Sequence, residues 1–225
     1  MRAAIYFTPP RDAPLTHLAA AWLGRDAFSD GPAPEPAPLV AEPARYGFHA
    51  TMKPPFRLAE GRTLDELDEA LADFCRRHRR AEIAQLELRR IGRFFALVPG
   101  AREPALHALA DETVREFERF RAPLDVAELA RRAPDRLTVR QRGHLDRWGY
   151  PYVFDEFRFH MTLTGPVADE DAAAVEARLQ ERFAPALGRP LAIDGLALFV
   201  ESRPGEPFHV HALHSLSSDT ATSPT

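Results

Sequence analysis

The feature that most constrains this chain is a five-residue pattern that occurs twice, Phe48-His49-Ala50-Thr51-Met52 and Phe159-His160-Met161-Thr162-Leu163. In an extended strand successive side chains point to opposite faces. Phe48, Ala50 and Met52 therefore share one face, as do Phe159, Met161 and Leu163, and each apolar set suits a core. His and Thr at i and i+2 share the other face, roughly 6.6 Å apart along the backbone. The same register adds Arg45 and Lys53 to His49 and Thr51, and Arg158 and Thr164 to His160 and Thr162. The alternative is a pair of ordinary strand histidines with β-forming threonines. That reading gives no reason for the apolar phase to hold in both copies.

The surroundings of the motifs repeat as well. The first pass opens with a strand at Ala3–Phe7, stopped by Pro9-Pro10, and a helix at Leu15–Leu23 that ends at Gly24. A Pro-, Ala- and Glu-rich loop at 31–38 leads to a strand at Arg45–Lys53, stopped by Pro54-Pro55. Thr63 with Glu66 is a capping-box signal opening a helix whose apolar face is Leu64, Leu67, Leu71 and Phe74. Leu86–Leu88 reads as a strand. The second pass runs through a strand at Phe94–Val98, a helix at Pro104–Phe120, a strand at Arg158–Thr164 and a helix at Ala172–Phe183. Strands at Leu191–Ile193, Leu196–Val200 and Phe208–Leu213 follow.

This order predicts an α+β fold of two pseudo-symmetric lobes. Each is an antiparallel sheet with helices on its outer face, and the open faces line a central cleft. One bilobal domain spans 1–214. An Arg-, Pro- and aromatic-rich insertion at about 121–157 reads as a loop or lid, and 215–225 as a disordered tail.

At 225 residues and 45% hydrophobic, the chain can bury a core without a disulfide or metal staple. Its single cysteine, Cys75, falls on the apolar side of a predicted helix and reads as a small core residue. The acidic run from Asp65 to Glu69 reads as a solvated helix face. No stretch approaches the roughly 20 uncharged apolar residues that span a bilayer, and the opening apolar run is too short for a secretory signal. A cytoplasmic, reducing environment is expected. The net charge of −4 argues against the basic footprint of non-specific nucleic-acid binding.

An imidazole, a hydroxyl and a cation on each strand face suit a phosphate group. Hydroxyls donate to its oxygens and cations offset its charge. Imidazole titrates near neutrality, so one copy can take a proton while the other gives one. With hydrogen-bond reach of about 3 Å on each side, the reactive nitrogens should lie roughly 6 to 8 Å apart across one phosphorus. Such a pair works without a metal or other cofactor.

These residues resemble the 2H phosphoesterase superfamily, and more closely its DUF1045 branch, described as a phosphonate-metabolism protein. The likeness rests on Arg45-Tyr-Gly-Phe-His-Ala-Thr-Met-Lys-Pro-Pro-Phe56, Phe120-Arg-Ala-Pro-Leu124, Trp148-Gly-Tyr-Pro-Tyr-Val153 and Phe157-Arg-Phe-His-Met-Thr-Leu-Thr-Gly165. It implies the bilobal fold, a phosphodiester-hydrolysing or cyclic-phosphodiesterase activity, and His49, Thr51, His160 and Thr162 as the catalytic set. The superfamily also includes RNA-end enzymes.

Further substrate contacts are expected from Lys53, Arg45, Tyr46 and Arg158 beside the motifs. Arg121, Arg140, Gln141, Trp148, Tyr150 and Tyr152 of the insertion could fold over the cleft, where aromatic rings stack on a base or sugar; anchoring of a long loop is the competing use. His209, His211 and His214 could have metal-ligand spacing, but no Cys lies near them and no metal is expected. The expected partner is a small phosphodiester or cyclic phosphate, with an RNA end second and no membrane. The rival to an enzyme is a binding module that holds a phosphorylated metabolite or RNA end without turnover.

Overall fold

The computed structural model describes residues 1–29 and 35–218. Half of the predicted 31–38 loop and all of the expected tail beyond 218 therefore lie outside the described residues. In chain order the elements are β1 (Arg2–Phe7), α1 (Pro14–Leu23), α2 (Ala41–Tyr46), β2 (Ala50–Phe56), α3 (Leu64–Arg77), β3 (Ala81–Ile83), β4 (Leu86–Ile91) and β5 (Phe94–Pro99). They continue as α4 (Pro104–Glu116), α5 (Val126–Arg131), α6 (Val139–Trp148), β6 (Met161–Thr162), α7 (Asp169–Phe183), β7 (Leu191–Ile193), β8 (Gly195–Glu201) and β9 (His209–Ser215). Among the described residues no helix is long and apolar enough to cross a membrane.

Seven strands form one antiparallel sheet in the order β4-β5-β6-β2-β1-β8-β9, and β3 pairs with β7 in a small second sheet. The two halves of the repeat are thus joined edge to edge. β4-β5-β6 abuts β2-β1-β8 through a single pairing, Ala50 with Met161. Across that seam a row of buried side chains runs Phe7–Ala50–Met161–Leu97, paired strand to strand. All four belong to the main core, which also takes Leu15, Ala19 and Leu23 of α1, Leu67, Leu71 and Phe74 of α3, Leu106 and Leu109 of α4, and Leu179 and Phe183 of α7. The helices therefore cover one face of the sheet, and burial of this row fixes the strand phase. On the other face Ala4, Tyr6, Ala197 and Phe199 form a smaller cluster with Phe208.

Local signals explain the helix ends. Gly24 closes α1 in the left-handed conformation, and Thr63 with Glu66 forms a complete capping box on α3. Cys75 is buried in the core, and burial pushes its thiol up to about 12. Asp65, Glu66 and Glu69 are exposed.

Three expectations need correction. The strand expected from Arg45 begins only at Ala50, because Arg45 and Tyr46 end α2 and Gly47 turns the chain at φ 78°. The insertion is not a loop: α5 and α6 each open on a full capping box, Asp125 with Glu128 and Thr138 with Gln141. The chain past 214 is ordered at first, since Ser215 pairs with Gly195 and the Ser217 N–H donates to the Cys75 and His78 carbonyls.

Candidate functional site

Antiparallel pairing of Ala50 with Met161 sets the geometry of the site. Continuing that register by one residue each way puts His49 across from Thr162 and His160 across from Thr51. All four then lie on the face opposite the helices, each imidazole facing the other motif's hydroxyl. Diagonal neighbours in such a ladder are about 7–8 Å apart, so the register places His49 and His160 on neighbouring strands about that far apart.

Both rings are aimed by the same device. His49 Nδ1 lies 2.8 Å from the Gly47 carbonyl, and His160 Nδ1 lies 2.8 Å from the Arg158 carbonyl. A carbonyl can only accept, so each Nδ1 carries the hydrogen in the neutral ring and each Nε2 is left as the reactive nitrogen. The turn that brings the first carbonyl into place requires glycine. Gly47 has positive φ, and a Cβ there would sit 2.6 Å from the Ala27 Cβ. Burial is the main cause that lowers His49, to about 4, opposed by the Gly47 carbonyl and reinforced by His160. Burial likewise lowers His160, opposed by the Arg158 carbonyl. Both shifts favour the neutral ring in the free protein, and an anion bound beside a ring opposes them by favouring imidazolium.

The His160 side opens into a cavity of about 510 Å³. Thr51, His160 and Arg158 line it together with Phe94, Tyr150, Tyr152 and Phe157. On the His49 side the wall is aromatic. Tyr6 stacks on the ring at 3.8 Å between centroids, and Tyr46 lies tilted at 6.1 Å.

The expected catalytic set His49, Thr51, His160 and Thr162 thus shares one face, and Arg158, Tyr46, Tyr150 and Tyr152 border it. Lys53 does not. β2 holds extra residues against β1, with Tyr6 opposite Thr51 but Ile5 opposite Lys53, so the phase flips after Thr51. Lys53 points to the helix side, 1% exposed, and its Nζ donates to Glu118 at 2.9 Å and to the Val114 carbonyl at 3.2 Å. Thr164 is also structural: it is buried, and its Oγ1 accepts the Phe95 N–H.

Arg45 is an anchor rather than a phosphate ligand. With Arg2 it pairs with Glu201, whose side chain is fully buried, and the Gly205 N–H donates to the same carboxylate. Burial alone would raise Glu201, but the bonds from Arg2 and Arg45 override it and hold the carboxyl at about 2. Arg121 packs under Gly149 and bonds Glu118 and the Ala122 carbonyl. Arg140 pairs with Asp155 on the surface, and Trp148 packs edge-on against Phe154. These three hold the insertion together, the competing use weighed from sequence. His214 pairs with Asp68 at 2.7 Å and the His209 ring lies 3.1 Å from the Ser29 carbonyl. Among the described residues no group of three or more His, Cys, Asp or Glu could hold a metal.

Tyr6, Gly47 and Glu156 escaped the sequence reading. Phasing β1 by alternation, with Ile5 and Phe7 inward, would have put Tyr6 on the motif face. Glu156 lines the cavity and accepts from Gln141 at 3.1 Å; its signal, two residues from Arg158, is weak.

Comparison with known proteins gives similar solved structures and a family. The chain resembles three solved structures over 96% of its length and 98% of theirs: TT0787 of Thermus thermophilus (TM-score 0.47, 17% identical), a phosphoesterase (0.46, 12%) and E. coli LigT complexed with 3′-AMP (0.43, 12%). More particularly, the chain belongs to the DUF1045 family, a protein family of unknown function, whose pattern matches residues 51–209. It is also 37% identical over 221 residues to ribose 1,5-bisphosphate phosphokinase PhnN of Janthinobacterium sp. (strain Marseille), covering 92% of this chain and 49% of that protein. The protein of the same name from Laribacter hongkongensis (strain HLHK9) is 36% identical over 219 residues, covering 93% and 50%. The chain spans about half the length of the curated relatives it matches.

Proposed function

We propose that this chain is a phosphodiesterase of the 2H type that hydrolyses a small cyclic or linear phosphodiester by two-histidine acid–base catalysis, with no metal. The observation that carries this reading is the seam pairing of Ala50 with Met161, which faces each motif's imidazole with the other's hydroxyl. One Nε2 takes a proton from water as its oxygen attacks phosphorus. The other, as imidazolium, gives its proton to the leaving oxygen as the P–O bond opposite breaks. Thr51 and Thr162 donate to the non-bridging oxygens, where hydrogen bonds to a charged acceptor are the strong ones. Both proton transfers are met by side chains, so the chemistry calls for no Lewis acid.

The branch's association with phosphonate metabolism and the relatives' names suggest a sugar phosphate as substrate. Opening a cyclic diester on a ribose phosphate leaves a ribose bisphosphate, the kind of molecule those relatives are named for. The kinase part of the name finds no counterpart in these 225 residues. The only lysine, Lys53, follows Met52, so the Gly-x4-Gly-Lys phosphate loop is absent.

The test is turnover of 2′,3′-cyclic nucleotides and ribose cyclic phosphates in the presence of EDTA. Hydrolysis that survives the chelator supports the reading. Tight binding by calorimetry with no turnover across the panel would favour the binding module instead.

A further inference from the structure

The two imidazoles share one orienting device but not one set of neighbours. Tyr6 on β1 pairs with Thr51, and its ring lies over His49 with centroids 3.8 Å apart and planes 22° apart. At the matching place in the second half, across from Thr162 on β5, stands Ala96. The His160 ring meets Phe94 at 5.9 Å, tilted by 44°. Tyr6 is clamped in turn: it is 1% exposed, 4.9 Å from Phe199 and 6.4 Å from Phe208. The titratable and charged groups around this pair are His160 and Tyr46 beside His49, and Tyr46, Tyr150, Arg2 and Arg132 around Tyr6.

We propose that Tyr6 is a positioning residue: its ring is the wall that fixes the plane of the His49 imidazole and shields one face of it from water. The catalytic meaning of this wall rests on the two-histidine reading; its physical meaning rests on the stack alone. A ring held at van der Waals distance on one face leaves His49 to rotate only within its plane, which keeps Nδ1 on the Gly47 carbonyl and Nε2 toward the seam. The same wall removes hydration from the charged form. Burial is the first cause of the low His49 value, and the stacked Tyr6 ring covers one face of the imidazole.

The experiment is an NMR titration of the histidine ring C–H signals in the full chain, with His49 assigned by its loss in His49→Gln. In Tyr6→Leu the His49 midpoint should rise by about one pH unit or more while that of His160 stays. Tyr6→Phe keeps the ring and should keep the midpoint. An unmoved His49 in Tyr6→Leu, or an equal shift in Tyr6→Phe, overturns the proposal. Should Tyr6→Leu not fold, the wild-type spectrum decides: stacking places the His49 ring proton upfield of that of His160, and matching shifts would contradict it. On a cyclic phosphate substrate, the limb of the pH profile belonging to His49 moves with its midpoint. If no such substrate is turned over, the functional reading falls while the titration still decides the role of Tyr6.

Discussion

The two halves of the site solve one problem with different supports. In both, a histidine precedes a strand that lies at the middle of the sheet, and its Nδ1 is held by the carbonyl two residues back. In the first half that carbonyl belongs to a glycine turn closing α2, and α2 is tied to β1 and β8 by Arg45, Arg2 and buried Glu201. In the second half the carbonyl belongs to Arg158, at the end of the insertion, and the ring faces an open cavity. One histidine is therefore built into the sheet, and the other stands at a cavity that the insertion borders. A shared reactive geometry does not require shared scaffolding; it requires one seam pairing and one backbone acceptor on each side.

The strongest way to break this comparison is to remove each imidazole in turn. His49→Ala and His160→Ala should each lower kcat/KM on a cyclic phosphate by at least about 100- to 10,000-fold, the usual loss for a general acid or base. Full activity in either variant would end the idea that the two act as a pair. The anchors should separate the halves instead. Glu201→Ala leaves Arg2 and Arg45 without their buried partner and should cost about 3 kcal/mol or more in denaturant unfolding. Arg140→Ala, which breaks only a surface pair in the insertion, should cost about 1 kcal/mol or less.

The hydroxyls come next. Thr51→Val and Thr162→Val should each cost about 2 kcal/mol of transition-state binding, roughly 10- to 100-fold in kcat/KM, as for one hydrogen bond to a charged group. If one threonine matters and the other does not, the phosphate is held from one side only. Stability against pH reports on the same two rings. Both imidazoles titrate lower in the folded chain than in the unfolded one, so the unfolded state binds more protons as pH falls below about 6.5. Stability is full above that point and declines toward about pH 4 for His49. The slope is about 1.4 kcal/mol per pH unit for each such ring. His49→Gln should flatten the decline measured by urea unfolding at pH 7, 6 and 5.

Much of this site was legible because its signal has a period of two. Phe48, Ala50 and Met52 alternate with His49 and Thr51, and the copy at 159–163 repeats the phase, so the face carrying both histidines and threonines could be read directly. Lys53 was lost because pairing register is not written in a strand's own alternation. The extra residue of β2 between Thr51 and Lys53 flips it toward the helix side, where Glu118, just past α4, accepts from its Nζ. Arg45 was lost to the turn at Gly47, whose need for glycine comes from Ala27, a residue distant in sequence. The helices of the insertion were readable: Asp125 with Glu128 and Thr138 with Gln141 have the capping spacing that identified α3 at Thr63. What could not be read was the edge-to-edge joining of the halves, since one pairing across short β6 decides it.

The central claim is that both Nε2 atoms address one phosphorus. A crystal structure of the intact chain with orthovanadate tests it most directly. The account predicts a single anion at the seam, with Nε2 of His49 and Nε2 of His160 each within about 3 Å of its oxygens on opposite sides. An anion bound away from the seam, or touching one ring while the other lies beyond reach, would contradict it.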